Sequence, residues 1–133
     1  MKTVIRFGII VLAGISLCLV TGCQTVYTTQ TQDIGAPTYP PTDPATVQIL
    51  RTQPTRKHVA LGQVRAEPSS ETMPVAKIEA ALQKAAAKLG ADAAVVIYDK
   101  TQVTGAMVVG GYLNRSVEEI QGRVIVAVAI KYQ

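Results

Sequence analysis

Three kinds of side chain in this sequence could carry chemistry, and each is scarce. The thiols are Cys18 and Cys23. The one histidine is His58, flanked by Arg56 and Lys57, whose charges would repel a metal cation; a base or a ligand also needs partners that its neighbours do not supply. Glu118 and Glu119 form an acidic pair, read as solvated in a polar loop. Glycosidase carboxylates need a defined separation that neighbours in sequence seldom provide. There is no Gly-rich phosphate loop after a strand, no arguable Ser, His and Asp set, and no Cys/His cluster at metal spacing. The expectation is a protein that is not an enzyme and holds no metal or cofactor.

Cys23 stands apart because of what precedes it. Met1 to Arg6 is a short cationic segment, and Phe7 to Val20 is an apolar run. That run is too short to cross a bilayer core as a helix, which needs roughly 20 residues, and it fits the apolar region of a secretory leader. It ends in Val20-Thr21-Gly22-Cys23. These residues resemble the lipobox of bacterial lipoproteins, with Val where Leu is commoner. The resemblance implies cleavage between Gly22 and Cys23, removal of residues 1–22, and a diacylglyceryl thioether on Cys23. A peptidase needs small side chains around its cut, and the thiol is the nucleophile able to take the lipid. Several acyl chains at about 0.8 kcal/mol per buried CH₂ would make the anchor effectively permanent. Gln24 follows; by the enterobacterial sorting rule a residue other than Asp there implies the outer membrane, facing the periplasm.

Cys18 leaves with the leader and Cys23 is consumed by lipid, so the folded part has neither disulfide nor thiolate chemistry. The formal charge of +4 also overstates the mature chain, since Lys2 and Arg6 are removed. The remaining charges are scattered, which excludes the basic footprint of a nucleic-acid binder. With no Trp, one Phe and five Tyr, the core must be Val, Ile, Leu and Ala. Such a core suits a sheet covered by a helix better than a ring-lined pocket.

Residues 23–46 follow the anchor and read as a tether rich in Thr, Gln and Pro. Pro37, Pro40, Pro41 and Pro44 oppose helix and central strand. The expectation is a disordered to extended segment reaching about 75 Å when fully stretched. The alternative is that its prolines are a ligand for a partner.

Residues 47–133 read as one small domain. Val47 to Leu50 predicts a short strand, and Val59 to Ala66 a second, with Gly62 marking a bulge. Thr72 is a candidate N-cap and Pro74 falls in a first helical turn. Val75, Ile78, Leu82, Ala85, Ala86 and Leu89 recur at the helical period, and Gly90 ends the helix. Ala93 to Tyr98 is a strand. Asp99 to Gly111 is a strand extension or hairpin with Gly-dependent turns, read as ordinary packing or as an exposed contact site. Arg123 to Tyr132 is the strongest strand: Val124, Val126, Val128 and Ile130 share one face, and Ile125, Ala127 and Ala129 the other. The small face would let a helix approach closely. The fold class expected is α+β, a sheet of three to four strands with one long helix packed on it, behind the disordered tether.

Tyr39-Pro40-Pro41-Thr42 and, after the helix, Gly90-Ala91-Asp92-Ala93 complete the pattern. The chain from about residue 39 to 132 resembles small bacterial outer-membrane lipoproteins with this YPPT…GADA signature. They are related distantly to RcsF, a stress-sensing lipoprotein, and to the YbjQ-type domain associated with heavy-metal binding. Residues 24–133 contain no Cys, whereas RcsF-type domains are stapled by disulfides. The resemblance implies a lipid-anchored, non-catalytic binding or sensor domain with an envelope protein partner. The alternative it implies is a ligand- or metal-binding oligomer of the YbjQ type.

Overall fold

The computed structural model describes residues 24–133. The leader and the Gly22–Cys23 processing site lie outside the described residues. The described chain runs through strand β1 (Val26–Gln32), a 3-10 turn (Pro44–Thr46), strand β2 (Gln48–Leu50), strand β3 (His58–Pro68), helix α1 (Val75–Lys88), and strands β4 (Ala93–Val109) and β5 (Ser116–Tyr132). The strands form one mixed sheet in the order β1-β3-β5-β4-β2, antiparallel except for the parallel pair β2 and β4. The fold is α+β, with one helix on a sheet of five strands rather than three to four.

The additional strand comes from the segment expected to be a disordered tether. Val26–Gln32 pairs antiparallel with β3 from Val26↔Pro68 to Gln32↔Gly62. Its Val and Thr side chains are β-branched and its Tyr is aromatic, types that strands favour, but with the Gln residues they make almost no apolar periodicity. It is an edge strand held largely by its ladder, and its prolines begin only later, at Pro37.

The rest of the expected tether is also docked. The Thr42 backbone N–H donates to the Ala87 carbonyl at 2.9 Å, and its hydroxyl donates to the Ala91 carbonyl at 2.7 Å. Tyr39 packs against the main core. The Asp43 carboxylate accepts from the Ala45 N–H and starts the 3-10 turn. The prolines thus shape a strap across the C-terminal end of α1, and the Tyr39–Thr42 and Gly90–Ala93 motifs touch.

Helix α1 matches the predicted span, with a different start. Thr72 bonds to Ser70 rather than capping the helix, Pro74 stands at the N-cap without a side-chain bond, and Val75 is 46% exposed. The buried stripe is Ile78, Leu82 and the run Ala85, Ala86 and Ala87. It lies on Val64, Ala66, Ala94, Ile125, Ala127 and Ala129 of the sheet. Alanines on both sides allow the close approach expected of the small face of β5. The opposite face of β5 buries Ile130 with Ala93 and Val95 in a smaller cluster and has no helix over it. In β3 the register shifts between Ala60 and Gly62, as the glycine predicted.

Asp92 ties three elements together. Its carboxylate accepts from Lys131 Nζ at 2.7 Å and from the Tyr132 N–H at 3.0 Å. Burial alone would raise its pKa, but the Lys131 and Tyr132 hydrogen bonds outweigh this, with Lys131 and Arg56 charges adding, so the carboxyl lies below its ordinary 3.8. A depressed carboxylate contributes stability above its unfolded pKa and loses it as pH falls through the folded value. Asp92→Asn is therefore expected to cost about 1–2 kcal/mol near pH 7, a figure kept low because the site is partly exposed. The gap seen at pH 7 should close at an acid pH lying below the depressed folded value. Thermal unfolding by circular dichroism at the two pH values measures it, and an unchanged gap in acid would rule this role out.

Candidate functional site

The sheet is uneven in length. The last residue of β3 to pair with β5 is Ala66, opposite Ile125, and β2 pairs only as far as Leu50↔Val95. Beyond them β4 and β5 continue together from Lys100↔Val124 to Val109↔Ser116. This arm is a ribbon of two strands about 30 Å long, with both edges unpaired. Glu118 and Glu119, expected in a loop, lie within its second strand. Register shifts at Val96/Tyr98 and Val103/Gly105 mark two bulges, which increase the local twist.

An ion pair closes the base of the arm. Arg123 donates to both Asp99 oxygens, Nε at 2.7 Å and Nη2 at 2.8 Å, and Arg51 approaches the same carboxylate at 3.8 Å. The hydrogen bond from Arg123 holds the Asp99 carboxyl below its ordinary range; burial opposes this, and the Arg123 and Arg51 charges add to it. This bidentate pair fixes where the arm leaves the body.

The arm carries apolar side chains on both faces. From the pairing, Met107 and Ile120 share the face continuous with Val124, and Val103, Val108 and Val117 lie on the other. All of them except Val124 are exposed, and at the turn Tyr112 is 88% and Leu113 95% exposed. Arg115 sits over the Tyr112 ring at 5.7 Å. An isolated ribbon of two strands is marginal in water, and grouped apolar exposure of this kind marks contact surfaces. Chemically, the arm can bury side chains and offer backbone edges to an incoming strand.

The other sequence candidates do not converge on it. His58 is half-buried at the far end of β3, where its Nδ1 donates to the Arg56 carbonyl at 2.7 Å. It lines a shallow concavity of about 370 Å³ with Arg51, Gln53, Val95, Ile97 and Val128. No carboxylate lines that concavity, so His58 has no acid–base partner there. Among the described residues no three His, Cys, Asp or Glu side chains are grouped to hold a metal ion. No helix of the described residues is long and apolar enough to cross a membrane. Sequence reasoning missed the Arg123–Asp99 pair, because the partners are far apart in the chain. The signal available for the arm was the apolar run Ala106 to Val109 between glycines, which the sequence offered as a strand extension or hairpin.

The chain matches no protein-family model and no curated protein. Among solved structures it is similar to the crystal structure of FvfA, a Francisella virulence factor, with 20% identity and a TM-score of 0.52. The likeness covers 79% of this chain and 97% of that one, so nearly the whole of FvfA shares the fold. At this identity the likeness is one of fold.

Proposed function

We propose that this chain is a bacterial envelope lipoprotein, held in the outer membrane by lipid on Cys23, whose α+β domain binds a protein partner through the β4–β5 arm. It is a binding or sensing protein without catalytic chemistry of its own. The observation that carries the reading is the exposure of Met107, Val108, Tyr112, Leu113 and Val117 together on a ribbon with no cover. Leaving such a surface in water is unfavourable, and a partner that buries it regains about 25 cal/mol per Å² of apolar area before the costs of association. The lipobox supports the anchor, and the resemblance to RcsF-type lipoproteins fits an envelope partner.

In-cell photocrosslinking tests the arm. Benzoylphenylalanine in place of Met107, Tyr112, Leu113 or Val117 is expected to give one discrete adduct, and in place of the exposed helix residue Ala76 none. A Leu113→Ser change should lower adduct yield at position 117 about tenfold or more if the tip is a hot spot. An adduct of twice the chain's mass would make the partner a second copy. No adduct at any arm position would sink the reading.

A further inference from the structure

The groove between β1 and α1 has an unusual composition. Gln24, Val26 and Thr28 line one wall, and Lys77, Lys84 and Lys88 line the other. At about 100° per residue the three lysines project within about 40° of one another. All three are exposed, none is ion-paired among the described residues, and no carboxylate lines the groove.

This groove is next to the anchor. The Thr25 N–H donates to the Ser69 hydroxyl at 3.1 Å and its carbonyl accepts from the Ser69 N–H at 2.9 Å. Thr25 is thereby fixed to the end of β3. Cys23 is two peptide bonds before it, so the two Cα atoms lie within about 8 Å. A lipid on Cys23 places the bilayer against the body of the domain, not at the end of a long tether.

The arm then limits how the domain can lie. β1 begins opposite Pro68, and β5 runs beyond Ile125 past that same end of the sheet. The arm therefore projects from the end where the anchor emerges. A ribbon with two unpaired edges cannot enter hydrocarbon, and Glu118 and Glu119 would add to the cost. The domain is left to rest on a flank, and the flank beside the anchor is the lysine groove. We propose that Lys77, Lys84 and Lys88 dock the domain onto anionic phospholipid headgroups of the bilayer that holds the Cys23 lipid. This rests on the anchor reading above. Docking on this flank keeps the arm clear of the headgroup layer, where a partner can reach it.

The test places an environment-sensitive fluorophore on the lipidated protein at Ala81→Cys, between the lysines, or at Leu113→Cys on the arm. The protein is reconstituted in vesicles carrying a headgroup quencher. With phosphatidylcholine and phosphatidylglycerol at roughly 7:3, quenching at position 81 should exceed that at 113 about fivefold. It should fall to the level at 113 in pure phosphatidylcholine, in about 1 M salt, and in Lys77→Gln/Lys84→Gln/Lys88→Gln. Equal quenching at 81 in neutral vesicles or in the triple variant would overturn the proposal, as would equal quenching at 113. The mature chain with Cys23→Ser tests the lysines apart from the anchor. Its partition onto the same anionic vesicles should drop about 100-fold in the triple variant, counting about fivefold per lysine. No preference for anionic vesicles in that chain defeats the docking alone; wild-type protein lacking lipid defeats the anchor reading alone.

Discussion

Gly90→Ala is expected to destabilise the domain by about 3 kcal/mol, lowering Tm by roughly 10–20 °C. Two separate costs meet at this residue. Its φ is +78°, and its N–H bonds to the Ala87 carbonyl while that of Ala91 bonds to Ala86, which closes the helix in a Schellman turn. An L side chain in that conformation costs about 1–2 kcal/mol. A Cβ would also lie 2.6 Å from Tyr39 Cβ and 2.8 Å from the Pro40 carbonyl oxygen. The strap would have to lift, weakening the two Thr42 hydrogen bonds to Ala87 and Ala91. Gly35 separates the contributions, since its φ is +81° with nothing within 4 Å of an added Cβ. Gly35→Ala should show the conformational cost alone, about 1 kcal/mol. Equal losses for the two variants, in denaturant unfolding of the mature chain, would mean that the strap is not seated on Gly90.

Cys23→Ala is expected to abolish acylation. Labelled palmitate in the protein should fall to background, and the chain should accumulate with residues 1–22 uncleaved, because the substitution removes the Cys on which the lipobox pattern ends. The physical scale is large: a single sixteen-carbon chain at about 0.8 kcal/mol per CH₂ contributes more than 10 kcal/mol to membrane attachment. An uncleaved apolar leader would still hold the precursor to membranes. The second arm therefore replaces residues 1–22 with a leader cut by the ordinary signal peptidase. In the Cys23→Ala background that chain should move almost wholly to the soluble periplasmic fraction. Undiminished palmitate uptake would remove the anchor from this protein and, with it, the orientation inferred for the lysine flank.

The two results bear on one arrangement. The strap and β1 hold the N-terminal segment against the domain, so in the arrangement proposed above the lipid, the lysines and the arm would keep a fixed relation. A free tether would have left the domain's orientation to chance. With Thr25 bonded to Ser69, a partner on the arm would, under that proposal, approach a body held close to the bilayer.

Several features were legible in the residues. The helix showed itself through Ile78, Leu82 and Ala85 at the helical period and a glycine just past its end; these depend on near neighbours along the chain. The two faces of β5 were readable for the same reason, since Ala127 and Ala129 alternate with Val126 and Val128, and the small face did receive the helix. The Thr/Gln segment at Val26–Gln32 was not legible. An edge strand with one polar face and little burial has no hydrophobic period, and its stability lies in hydrogen bonds to β3, a partner 30 to 42 residues away. The arm was legible only as a strand extension or hairpin: a bulge at Val103/Gly105 interrupts its alternation, and its length appears only where β3 and β2 stop pairing. The sequence by itself determined the lipobox-like pattern Val20 to Cys23, the absence of any later thiol, the helix with its glycine stop, and the small face that receives it. Only the tertiary structure decided that the supposed tether is a strand and a strap, that three lysines line the groove beside β1, and that an apolar ribbon is left uncovered. Those are relations between residues distant in the chain, and local pattern carries no record of which distant surfaces meet.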